Sequence, residues 1–107
     1  MSETLRRIRE LVARGEVKIS GHGYDELAAD GLFADEVVAA VSAAVVVEDY
    51  PDFPKGPCVL VLQKTAAGNP VHVVWGIPKN ASSPAVVVTA YRPDSKRWSR
   101  DFLRRQT

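Results

Sequence analysis

Three side chains are best suited to move a proton near neutral pH: the two histidines, His22 and His72, and Tyr91. Thr89 stands two residues before Tyr91, and the arginines Arg92, Arg97 and Arg100 follow it in the chain. The set matches the needs of RNA cleavage without a metal: a base for the 2′-hydroxyl, an acid for the leaving oxygen and positive charge on the phosphate. Two histidines, or a histidine and a tyrosine, fill the first two roles. Arginine forks fill the third through paired hydrogen bonds. Trp75, Tyr91 and Trp98 offer faces on which bases stack. Each residue also has a plainer use. His22 stands beside Asp25 and Glu26 and can simply pair with them, Tyr91 can close a strand end, and Trp75 reads as core. The lone Cys58 reads as a small buried hydrophobe. The run Glu48-Asp49-Tyr50-Pro51 either holds a metal, orients a histidine or blunts a strand end with charge.

The elements that must position these groups follow from periodicity. Ser2 is a good N-cap, and Leu5, Ile8, Leu11 and Val12 fall at helical spacing before Gly15, which predicts a helix over 3–14. Lys18-Ile19-Ser20 is short and extended. Second and third helices are expected over 22–30, stopped at Gly31, and over 34–43. The period then turns strand-like. Strands are expected over 45–50, 58–64, 71–77 and 85–92, the last two as an antiparallel hairpin, with a short final helix over 97–105. The resulting fold class is α+β, with N-terminal helices packed on a twisted antiparallel sheet of about four strands.

Alternation across the strands assigns faces. Val71, Val73, Trp75 and Ile77 share one side, and His72, Val74 and Gly76 the other. Val86, Val88 and Ala90 form an apolar face, with Thr89 and Tyr91 opposite. One consistent assembly places Gln63, His72, Thr89 and Tyr91 together on a shallow polar surface and sends Val73, Trp75, Val86 and Val88 into the core.

Composition narrows the alternatives. A chain of 107 residues, 46% hydrophobic and 25% charged, is expected to form one domain with its own core. One cysteine rules out an internal disulfide and a cysteine-based zinc site. No Gly-rich phosphate loop, HExxH or CxxC is present, so no metal or cofactor is expected. The charged start, MSETLRRIRELV, lacks a signal-type apolar run, and no stretch is long enough to span a membrane, so a cytoplasmic protein is expected. Net charge is +1, with basic ends and a middle, residues 19–54, that holds eight acids and no Lys or Arg. Such a domain either binds a polyanion on one face or presents an ordinary mixed surface.

Several short motifs, in order, carry a resemblance. They are Ile19-Ser20-x-His22-Gly23, Asp30-Gly31-Leu32, Val47-Glu48-Asp49-Tyr50-Pro51, Gly56-Pro57-x-Val59-Leu60, His72-Val73-Val74-Trp75 and Val88-Thr89-Ala90-Tyr91-Arg92-Pro93-Asp94. In this order the chain resembles the DUF4258 family over about residues 17–103. The resemblance implies a fold similar to small ribonuclease toxins of the barnase–EndoU–colicin–RelE group. It also implies a small antitoxin partner, of zinc-finger or helix-turn-helix type. The family's recurrent polar positions fall on Ser20, His22, His72, Thr89 and Tyr91. One departure stands out: relatives commonly continue the first histidine as HAxxRM, whereas Glu26 replaces that arginine here and Asp30 another.

The expectation is therefore a metal-independent, toxin-like endoribonuclease. His22, His72, Tyr91 and Thr89 would be catalytic, and Ser20, Gln63, Arg92, Arg97 and Arg100 would hold substrate. The competing expectations are a non-catalytic module that binds a protein or small ligand on the same sheet face, and a small-molecule hydrolase built on Glu48 or Asp49.

Overall fold

In the computed structural model, which describes residues 2–106, the first helix, α1 (Glu3–Ala13), opens on a cap: Ser2 Oγ accepts from the Leu5 amide at 3.0 Å. Its apolar stripe, Leu5, Ile8 and Leu11, is buried in the main core, and Gly15 ends it with a positive φ of 75°. Next come β1 (Val17–Ile19), α2 (Gly21–Ala29), α3 (Ala34–Ala39) and a 3-10 turn (Ala40–Ala43). The sheet then continues with β2 (Val45–Tyr50), β3 (Cys58–Lys64), β4 (Pro70–Gly76) and β5 (Ala85–Tyr91).

The sheet has five strands in the order β1-β5-β4-β3-β2. Four form the antiparallel meander the sequence predicts. The fifth, β1, is the short extended piece, and it pairs parallel to β5, with Val17 opposite Ala85 and Ile19 opposite Val87. The sheet is therefore mixed, and the expected count of about four is one short. One face meets the helices in a single core containing Val59, Val61, Val73, Trp75, Val87 and Ala90. Trp75 is completely buried.

Two face assignments are corrected. The β4–β5 ladder shifts register between Val74 and Trp75, leaving Val88 as the extra residue of a bulge. That flips the phase of β5 upstream of it: Ala85 and Val87 enter the core, while Val86 is only partly buried and Val88 is exposed. The expected core side through Val86 and Val88 is thus reversed, yet Thr89 and Tyr91, downstream of the bulge, keep the outer face. Gln63 is the second correction. The β3–β4 register sets it opposite Val71 and not opposite His72, so it points into the core. There its Oε1 accepts from Trp75 Nε1 at 2.9 Å and its Nε2 donates to the Val37 carbonyl at 2.8 Å.

The expected helix over 97–105 is also absent. Residues 93–106 instead form a tight return of turns and bends, closed by a bridge between Trp98 and Arg105. The amide of Ser99 donates to the Arg104 carbonyl at 2.8 Å, and that of Gln106 to the Arg97 carbonyl at 2.7 Å. Phe102 turns the chain at φ 61°, an uncommon conformation for an aromatic residue.

Candidate active site

The C-terminal return lies over the outer face of β4 and β5, and this cap makes the site. His72 and Tyr91 are directly opposed across the β4–β5 ladder. Trp98 closes over the imidazole edge to face, with ring centroids 4.3 Å apart at 87°. His72 has no exposed surface and Trp98 very little.

Both ring nitrogens of His72 are engaged. Nε2 lies 2.8 Å from the Phe102 carbonyl and Nδ1 lies 3.3 Å from the Tyr91 hydroxyl. A carbonyl only accepts, so Nε2 carries the proton of the neutral ring and Nδ1 is left to accept from the phenol. Burial lowers the pKa of His72, against smaller opposing contributions from the Phe102 carbonyl and Glu48. Burial also raises that of Tyr91. At neutral pH the pair is therefore a neutral imidazole behind a protonated phenol.

Tyr91 is only half-buried because its other side opens on a cleft of about 520 Å³. Arg92, Arg97 and Arg105 line it, with Trp98 as an aromatic wall and Asp94 as the one acidic side chain among the lining residues. Arg92 is fixed by α2: its amide donates to Asp30 Oδ2 at 2.8 Å and its Nε to the Asp30 carbonyl at 3.0 Å. Arg105 is fixed by β2: Nε and Nη2 donate to the two oxygens of Glu48 at 2.7 and 3.0 Å. The Arg105 guanidinium lowers the pKa of Glu48 and sits 4.9 Å over the Trp98 ring.

Of the residues selected from sequence, His72, Tyr91, Arg92 and Arg97 converge here. Thr89 shares the outer face, opposite Val74, and is half-buried. Arg100 is exposed and lies outside the cleft lining. His22 is largely exposed and its Nε2 lies 3.5 Å from Glu26, while no hydrogen bond among the described residues ties it to His72. Ser20 caps α2 by accepting from the Gly23 amide, and its hydroxyl donates to the Val88 carbonyl at the bulge. Gln63 lies on the opposite face of the sheet.

The sequence of a known family accounts for most of this frame. The sequence model of DUF4258, a domain of unknown function, matches residues 19–92. The chain belongs to the DUF4258 family. Comparison with curated proteins gives no match, and comparison with solved structures gives none either. The match runs from the last residue of β1 through α2, α3 and β2–β5, and it ends where the cap begins. Within the DUF4258 span lie His72, Tyr91, Arg92 and Glu48. Outside it lie Arg97, Trp98, Phe102 and Arg105.

Sequence reasoning missed Asp94, the Phe102 carbonyl and Arg105 as parts of this site. Glu48 was visible as part of an acidic run at a strand end, and its partner turns out to be an arginine. No helix among the described residues is long and apolar enough to cross a membrane.

Proposed function

We propose that this protein is a metal-independent endoribonuclease, the toxin of a toxin–antitoxin pair, acting on single-stranded RNA laid in the arginine-lined cleft. The observation that carries it is the Tyr91 hydroxyl, which fronts the cleft while the bare Nδ1 of His72 backs it at 3.3 Å. His72 is sealed from solvent, so it acts through Tyr91 and not on substrate directly. In the cleavage step the 2′-oxygen attacks phosphorus as its proton passes to the Tyr91 oxygen and the phenol's own proton passes to Nδ1 of His72. The 5′-oxygen leaves with a proton from solvent, and a 2′,3′-cyclic phosphate remains. Arg92 and Arg97 place positive charge around phosphorus. The resemblance to ribonuclease toxins supports the substrate class and the pairing with a small zinc-finger or helix-turn-helix antitoxin.

The test is degradation of a single-stranded RNA by purified protein in EDTA, comparing wild type with Tyr91→Phe and His72→Ala. Loss of a positioned proton-transfer group costs about 10²- to 10⁴-fold in rate. Wild-type rates no faster than those of Tyr91→Phe would sink the catalytic reading. A second reading, a non-catalytic module that binds its ligand in the same cleft, is favoured by one observation: both nitrogens of His72 are satisfied internally. It predicts binding of the RNA without cleavage, and no growth arrest on induced expression.

A further inference from the structure

The three arginines of the cleft are not equivalent. Arg92 spends its Nε on the Asp30 carbonyl, and the Arg97 side chain makes no hydrogen bond or ion pair among the described residues. Arg105 alone is clamped at two points on one edge, with Nε and Nη2 on the carboxylate of Glu48 and its plane over Trp98. A guanidinium carries five N–H donors. The clamp uses the Nε–Nη2 edge and leaves the Nη1 amine to face elsewhere, and Arg105 is a wall of the cleft. Glu48 is held in turn, since Tyr50 Oη donates to its Oε1 at 2.7 Å. A side chain fixed in this way gives up less rotamer entropy when it grips a ligand than a free arginine does.

We propose that Arg105 is the residue that receives the ligand's phosphate, and that Glu48 is its positioning residue. This rests on the reading of the cleft as a phosphate-binding site. It assigns the grip to a residue beyond the family span, on the cap, and the orientation to a residue within that span, on β2. The phosphate takes the Nη1 edge while the carboxylate keeps the other, and the Trp98 ring supports the guanidinium from beneath.

The experiment uses the full chain with two probes, inorganic pyrophosphate and an eight-nucleotide single-stranded RNA, and follows tryptophan fluorescence across a salt series. Each phosphate contact to a single strand contributes about 0.7 to the slope of log affinity against log salt. Arg105→Ala lowers that slope by about 0.7 and weakens RNA binding about tenfold or more. Arg105→Lys keeps the charge and hence the slope, but loses affinity because a single ammonium cannot serve Glu48 and phosphate through separate edges. Glu48→Gln removes an acidic group and still weakens binding of both probes. Ser99→Ala removes the hydroxyl that bonds Asp101 and the Arg104 amide, loosening the cap away from the cleft, and keeps the slope. Arg100→Ala does the same. Two results overturn the proposal: an unchanged slope in Arg105→Ala, or equal or tighter binding in Glu48→Gln. A wild type that binds neither probe overturns it too. Arg105-dependent binding of pyrophosphate with no binding of RNA upholds it and instead removes the ribonuclease reading.

Discussion

Gly23→Ala tests the contact that fixes the phase of β5, and with it the pairing of Tyr91 and His72. A Cβ on Gly23 would stand 2.7 Å from the Val87 carbonyl oxygen, 3.1 Å from Ser20 Oγ and 3.2 Å from Ile19 Cγ2. The carbonyl is strand backbone and cannot swing aside, so α2 must lift. Lifting breaks the Ser20 cap, worth about 1 kcal/mol, and the bond from Ser20 to the Val88 carbonyl, worth about another. Overpacking adds about 1–3 kcal/mol, and the better helix propensity of alanine returns about 1 kcal/mol. The net loss is about 3 kcal/mol. At 4–8 °C per kcal/mol for a domain near this size, the melting temperature should fall by roughly 12–24 °C. Ser20→Ala, which loses the two bonds but adds no atom, should fall by about 2 kcal/mol. Gly21→Ala is the control, because a Cβ there meets nothing within 4 Å. Thermal unfolding followed by circular dichroism reads all three. Melting temperatures of Gly23→Ala and Gly21→Ala within about 3 °C of each other would refute the close approach of α2 to β5.

Three further outcomes are expected. Gln63→Leu strands the Trp75 indole N–H and the Val37 carbonyl in the core, and at about 1–3 kcal/mol for each orphan it should lower the urea midpoint by the equivalent of about 2–6 kcal/mol. Burial holds the folded-state pKa of His72 below its ordinary 6.5, so the unfolded chain takes up that proton first. Stability should therefore be full above pH 6.5 and decline as the pH falls toward the folded-state value, a slope that His72→Gln should remove in urea titrations. Glu48 shifts in the same direction for a different cause: the Arg105 guanidinium, with the Tyr50 hydroxyl behind it, holds its carboxyl below the ordinary 4.5, so its contribution is present above that pH and is lost in more acid solution, and Arg105→Ala should shrink this second step.

The helices and the four long strands were legible because their periods are strong and their stops are Gly or Pro. The site was legible only in part, for three physical reasons. The run Ala85-Val86-Val87-Val88 reads alike in either phase, so nothing in it announces that Val88 bulges and inverts the face. Gln63 was assigned the correct neighbours within β3, but its partner on β4 depends on the register set by the connecting turn, and a slip of one residue moves a side chain to the other face. The cap resists pattern reading most of all. It has no apolar period, it turns at Phe102 in a region that favours glycine, and its decisive arginine differs from its neighbours only in facing Glu48. His22 shows the converse: a motif position can be read correctly while its surroundings, here Glu26 at the next helical turn, give it a different partner.

The parallel pairing of β1 with β5 has a consequence for how the chain reaches this state. Val17 waits for Ala85, Ser20 for Val88 and Asp30 for Arg92. At about 5–20 residues per second, the ribosome delivers β5 on the order of ten seconds after β1. Throughout that interval α1 and α2 have no complete sheet to rest on, and the side of β4 that β5 will take is an open edge. Contacts this distant in sequence also close slowly once the chain is free. The newborn molecule therefore passes through a period in which another strand or a chaperone competes for the place that β5 will take. His72 is sealed only after β5 and the cap have arrived.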